Sequence, residues 1–118
     1  MYARIGGNEY GTYVSVSGPG SSPPATFALD QNYPNPFNPE TKIRYTVGGI
    51  SRQSPVVSSV RLSVYDVLGR EVAVLVDEKK EPGRYEVKLD GSKLSSGMYF
   101  YRLQAGTYVE TKKLVLAK

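Results

Sequence analysis

From Thr41 onward, apolar side chains recur at every second position in one short segment after another, and a turn signal closes each segment. A side-chain period of two belongs to a pleated strand, whose successive Cβ atoms point to opposite faces. Thr41 to Val47 sets Ile43, Tyr45 and Val47 against Lys42, Arg44 and Thr46. Val60, Leu62 and Val64 repeat the pattern, as do Tyr85, Val87 and Leu89 against Arg84, Glu86 and Lys88. Met98 to Leu103 and Tyr108 to Ala117 continue it, and a short strand around Thr26 to Leu29 brings the expectation to about seven strands. Arg70 to Val76 is apolar on both faces after its start and reads as a covered strand. No window keeps helical spacing beyond a turn, so the fold class is all-β.

The punctuation is regular: Asp66 to Gly69, Glu81-Pro82-Gly83, Asp90-Gly91, Ser95-Ser96-Gly97 and Ala105-Gly106. Each offers Gly for positive φ or Pro for a preset φ where the chain must reverse, and Asp90-Gly91 reads as a hairpin turn. Short strands at this turn spacing predict an antiparallel β-sandwich. Gly48 to Ser58 reads as an exposed connection, and Asp77 to Lys80 as a solvated loop. Ahead of the sandwich, assigned to residues 26–118, the stretch 18–25 is too rich in Gly, Ser and Pro to bury anything and reads as a linker. Residues 1–17 hold strand-like Tyr10 to Val16, which a turn at Gly6-Gly7-Asn8 would lay back onto Tyr2 to Ile5; two strands alone are marginal in water, so they read as the tail of a preceding domain or as an arm seeking a partner.

The chain contains no Cys, Trp or His, which removes the thiolate nucleophile, the commonest general base and the usual nitrogen and sulfur metal ligands. Ser95 and Ser96 have no base but distant lysines, so no catalytic site, metal or cofactor is expected. A net charge of +4 is interspersed rather than gathered into a stripe, against nucleic-acid binding. The start of the chain lacks a signal-peptide pattern, and no run approaches the roughly 18 apolar residues of a membrane span. Those features suit a cytoplasmic chain or a piece of an exported precursor.

The densest local signal is Asn32-Tyr33-Pro34-Asn35-Pro36-Phe37-Asn38-Pro39, with three prolines in eight residues. Proline removes donors and restricts the residue before it, so this is neither helix nor central strand. It reads as a rigid loop whose aromatics, Tyr33 and Phe37, plug one end of the core, or as a Pro-aromatic recognition surface. A calcium loop from Asp30, Asn32, Asn35 and Asn38 carries too little charge. Gly69 and Arg70 read as a turn glycine and a strand-opening charge, and Asp66 as the cap of that turn. Tyr99 and Tyr101 point inward with Leu103, and one of them ties its hydroxyl to a loop. Lys112, Lys113 and Lys118 on a terminal strand have no packing reason; they blunt a sheet edge or form a charged grip.

In combination, Asn-Tyr-Pro-Asn-Pro-Phe-Asn-Pro-x-Thr at residues 32–41, Val-Tyr-Asp-x-x-Gly-Arg at 64–70, Leu-x-Ser-Gly-x-Tyr-x-Tyr-x-Leu at 94–103 and the terminal Lys-Lys-x-x-x-x-Lys resemble the C-terminal sorting domain of type IX secretion cargo, over about residues 27–118. The chain is also similar to the immunoglobulin-like domain of flagellar hook-capping proteins. Leu89, where many members have an aromatic residue, and the long insertion Gly48 to Ser58 depart from the pattern. The resemblance implies an immunoglobulin-like antiparallel β-sandwich that serves as a folded address label behind a cargo domain, exported to the cell surface or beyond by way of the periplasm. It implies recognition by outer-membrane secretion machinery through Gly69, Arg70, Ser96, Gly97, Lys112, Lys113 and Lys118. A sortase-like peptidase would cut within Gly18, Pro19, Gly20, Ser21, Ser22, Pro23, Pro24, Ala25 and Thr26. The competing expectation is a structural subunit whose residues 1–17 add to a neighbour's sheet and build a filament or surface layer. Carbohydrate binding by exposed tyrosines is a third and weaker reading.

Overall fold

The computed structural model describes residues 24–49 and 56–118, so the readings made for residues 1–17 and for Gly18 to Pro23 lie outside the described residues. Seven strands follow in order: β1 (Ala28–Leu29), β2 (Glu40–Val47), β3 (Ser58–Tyr65), β4 (Glu71–Lys80), β5 (Gly83–Asp90), β6 (Gly97–Ala105) and β7 (Tyr108–Leu116). They form two antiparallel sheets, β1-β2-β5 and β4-β3-β6-β7, and the chain is the all-β sandwich that the alternation predicts. The fourth strand pairs with β3, whereas in constant-type immunoglobulin domains the fourth strand joins the first sheet.

Alternation decides the core. Ile43, Tyr45 and Val47 from β2 and Tyr85, Val87 and Leu89 from β5 are buried against Leu62, Val64, Tyr101 and Leu103 of the other sheet. Tyr45 and Tyr85 sit directly opposite in the β2–β5 register and stack at 5.5 Å between ring centroids. Fully burying such side chains contributes about 1.5–3 kcal/mol each.

Three expectations are corrected. The segment from Arg70 is not a covered strand: β4 is an edge, and Val72 is exposed. Its pattern is apolar on both faces because register shifts against β3 break the alternation, so Leu75 and Val76 are both buried although they adjoin. Asp77 to Lys80 is no loop either; β4 runs through it, and the buried Lys80 places Nζ 2.7 Å from Glu78 and over the Tyr85 ring. Asp90-Gly91 does not turn a hairpin, since β5 and β6 lie in different sheets and residues 91–96 cross between them. The connection from Gly48 to Ser58 is described only at its ends: Gly48 is buried, Val56 and Val57 are exposed, the Val56 amide donates to the Gly49 carbonyl, and residues 50–55 lie outside the description.

The two sheets are joined along one side by the segment after β1. Tyr33 still bridges Lys42 of β2, but Phe37 bridges Leu116 of β7 in parallel, so the chain passes from one sheet to the other between them. The Phe37 amide donates to the Val115 carbonyl and the Ala117 amide to the Phe37 carbonyl, each at 2.9 Å. At the other end of β7, the Tyr108 hydroxyl donates to the Glu110 carboxylate, which also accepts the Leu29 amide, tying β1 to β7.

At the centre of this seam stands Tyr101, wholly buried on β6. Its hydroxyl donates to the Asp30 carbonyl at 2.7 Å and accepts the Asn32 amide at 2.9 Å, so one phenol bonds the four-stranded sheet to the crossing segment. One of the two inward tyrosines was expected to tie a loop; both do, since the Tyr99 hydroxyl donates to the Ser95 carbonyl. Burial pushes the Tyr101 phenol up to about 12. A raised folded-state value means that its contribution is complete below about pH 10 and is lost as pH climbs toward the folded value. Tyr101→Phe, which orphans the Asn32 amide, is expected to cost about 1–3 kcal/mol. Thermal melts from neutral pH to 12 check this: the variant starts lower and loses less over the alkaline limb.

Candidate functional site

Antiparallel pairing determines which connections share an end. β2 starts, β3 ends, β4 starts, β5 ends, β6 starts and β7 ends at the same pole of the sandwich. That pole therefore carries the Pro-rich loop, the turn at 66–70, the crossing loop at 91–96 and the last residues, 117–118.

The Pro-rich loop is held from below by a buried polar network. Asn32 is 2% exposed; its Nδ2 donates to the Pro34 carbonyl at 3.1 Å and to Thr41 Oγ1 at 3.0 Å, while Thr41 Oγ1 donates to the same carbonyl. Both side chains are thus satisfied where no water is needed. The two aromatics do not act together as expected. Phe37 fills the end of the core at 1% exposed, whereas Tyr33 points outward at 81%. Pro34, Asn35, Pro36, Asn38 and Pro39 are exposed, and Asn35 Oδ1 accepts the Val115 amide.

The crossing loop closes over Phe37. The Gly91 amide donates to the Pro39 carbonyl at 2.8 Å, and a Cβ at Gly91 would lie 3.1 Å from both Phe37 and Leu116, so glycine permits the approach. Ser96 Oγ accepts the Lys118 amide, and Lys118 Nζ donates to the Ser92 carbonyl. Ser96 and Lys118 are thereby in contact beside Gly97, the first residue of β6. Lys112 and Lys113 lie farther up β7. Lys112 is half-buried with Nζ 3.4 Å from Glu110, and Lys113 is exposed with its carbonyl accepting from Gln31.

Gly69 and Arg70 reach the same pole on the other side of the four-stranded sheet. Asp66 organises their turn: Oδ1 accepts the amides of Leu68 and Arg70, and Oδ2 accepts Arg70 Nε at 2.8 Å. Gly69 takes φ +84° with open space where a Cβ would be, so its backbone conformation rather than crowding calls for glycine. The backbone bond from Arg70 foremost holds the Asp66 carboxyl below its usual value, as the Ser92 amide does for Asp90. Beside this turn a shallow pocket of about 240 Å³ opens on the outer face of the sheet, lined by Tyr65, Asp66, Gly69, Phe100, Arg102 and Thr111. Phe100, Arg102 and Thr111 escaped the sequence reading; their signal was the outward half of the alternation, which pairs Phe100 with Tyr65.

Of the expected cleavage region only Pro24, Ala25 and Thr26 are described, and Ala25 and Thr26 are exposed. Among the described residues no cluster of acidic side chains could hold a metal ion.

The fold and this pole define a β-sandwich whose distinctive residues sit on connections at one end. The family model for the secretion system C-terminal sorting domain matches residues 31–117, and the chain belongs to that family, the sorting tails of type IX secretion. Its role is accordingly that of a sorting signal, which implies an encounter with secretion machinery and a secreted or surface-exposed protein. No curated protein and no solved structure matches the chain.

The two aspartate turns respond to acid in a defined direction. Depressed carboxyl values mean that the turn bonds hold above the unfolded Asp value, about 3.9, and are lost as pH falls through the lower folded values. Amide hydrogen exchange at Leu68, Arg70 and Ser92, corrected for intrinsic rates, is expected to lose protection below about pH 3.9, and Asp66→Ala is expected to abolish it at Leu68 and Arg70 already at neutral pH.

Proposed function

We propose that this chain is a non-catalytic sorting and anchoring module that directs a covalently preceding cargo through the type IX secretion system to the cell surface. The observation that carries the reading is the convergence of four motif segments at one pole: the Pro-rich loop, the Gly69-Arg70 turn, the Ser96-Gly97 loop and the terminal Lys118. Outer-membrane machinery reads that pole and the adjoining Lys112 and Lys113 of β7. A sortase-like peptidase separates label from cargo between Gly18 and Thr26, where a Gly-Ser-Pro sequence offers little to bury.

The chemistry supports recognition over catalysis. The carboxylate of Asp66 is spent on a turn, Lys118 and Ser96 are bonded to the loop and to each other, and the chain has no His or Cys to supply a base or thiolate. Shape and surface charge are what this pole offers a partner.

The test fuses the whole chain behind a reporter with an export signal in a host that has a type IX system. Surface display is expected, with the released reporter ending between Gly18 and Thr26. Removing residues 114–118 is expected to leave the reporter in the periplasm; because Phe37 bonds to that segment, circular dichroism of the truncated chain separates misfolding from lost recognition. Retention of the intact fusion in the periplasm, or undiminished export of a truncated chain, overturns the reading.

A further inference from the structure

The solvent face of β4-β3-β6-β7 is apolar where it approaches the motif-bearing pole. Met98 and Phe100 lie on the outward side of β6, opposite Val115 and Lys113 of β7, and Phe100 is also paired with Tyr65 of β3. Met98 is 42% exposed, and Val67 and Leu68 on the neighbouring turn are 60% and 73% exposed. A solvated antiparallel sheet face ordinarily reads polar. The core does not account for these side chains, because Tyr99, Tyr101 and Leu103 already fill the inward side of β6.

Within this surface Arg102 is positioned but not neutralised by an ion pair among the described residues. The Arg102 guanidinium lies 4.7 Å above the Tyr65 ring and donates from Nη2 to the Tyr65 hydroxyl at 2.8 Å, while its buried Nε meets no acceptor among the described residues. Arg61, on the same face, shows the contrast: it is bidentate on Glu71 and bonded to Asp77. Glu71, hydrogen-bonded to Tyr65 from the neighbouring strand, is held by Arg61, and Asp66 in the pocket is occupied by Arg70 and two amides. Among the described residues neither Arg102 nor Lys113 has an ion-pair partner. Two aromatic rings, two unpaired cations and an aliphatic rim therefore share one shallow surface. Planar guanidinium favours carboxylate, and stacking on Tyr65 holds it ready for one. Two cations are too few for a nucleic-acid backbone, and the aliphatic rim suits side chains rather than sugars.

We propose that this face docks an extended acidic segment of a partner protein, seating a carboxylate on Arg102 with Lys113 beside it and neighbouring apolar side chains on Phe100, Met98 and Val67. The inference rests on the sorting reading only for who presents the segment. Binding is measured without export, so a failure here leaves the sorting reading standing, and a failed export leaves this one standing.

The experiment titrates the intact isotope-labelled chain with a blocked peptide, acetyl-Ser-Leu-Asp-Phe-Glu-Val-Ser-amide, and with its Asn/Gln isostere, following amide shifts by NMR. Saturable shifts are expected at Tyr65 to Arg70, Met98 to Arg102 and Thr111 to Val115. The isostere is expected to bind about 5-fold more weakly, and Arg102→Gln to weaken the acidic peptide about 10-fold. Lys113→Gln, an exposed change, is expected to weaken it about 2-fold and serves as the deciding variant should Arg102→Gln fail to fold. Absence of saturable shifts, shifts centred on β1-β2-β5, equal affinity for the isostere, or unchanged affinity in the deciding variant overturns the proposal.

Discussion

The seam between the sheets depends on one hydroxyl. Tyr101 belongs to the four-stranded sheet, yet its oxygen is bonded to the backbone on both sides of Gln31, in the segment that leaves the three-stranded sheet. Those two bonds set the course of the chain into Asn32, whose side chain with Thr41 supports the Pro34 carbonyl and so the loop above it. Phe37 can then enter the end of the core and pair with Leu116. A prolyl-rich segment makes few ladder bonds of its own, so buried side-chain partners must supply its order. The loop, the end of the core and the last strand are consequently one unit, and a change to any of them is felt by the others.

The pole above that seam divides by charge. Carboxylates there serve geometry: Asp66 and Asp90 each receive backbone amides and hold turns. Cations face outward, Lys113 on the flank of β7 and Arg70 with a side chain 73% exposed even while its Nε bonds Asp66. On the proposed reading the outward cations are what a partner meets, while the carboxylates keep the turns in shape. The outer face around Tyr65, Phe100 and Arg102 extends the same logic from the loops onto the sheet.

Much of this was legible in the sequence. Alternation in β2, β5 and β6 named the buried residues, because a strand with one face on a core has a single register that works. The turn at Asp66 to Arg70 was readable too, since its bonds are local. β4 was misread as covered because bulges bring Leu75 and Val76 inward together, and a bulge is a property of two strands in register rather than of one segment. Tyr33 was misread for a related reason: local pattern says that an aromatic is present, but its neighbours across the fold decide whether there is room for it inside.

By itself the sequence determined the strand periodicity, the turns, the absence of thiol and imidazole chemistry, and the motif order that marks a sorting domain. All of these follow from nearest-neighbour sterics or from residue identity. Only the tertiary structure decided that four separated motifs share one pole, that Phe37 is seated while Tyr33 is displayed, and that Arg102 stands on Tyr65 beside Phe100 with no ion-pair partner among the described residues. Those outcomes depend on pairings between residues tens of positions apart, which close only when both sheets pack on a common core.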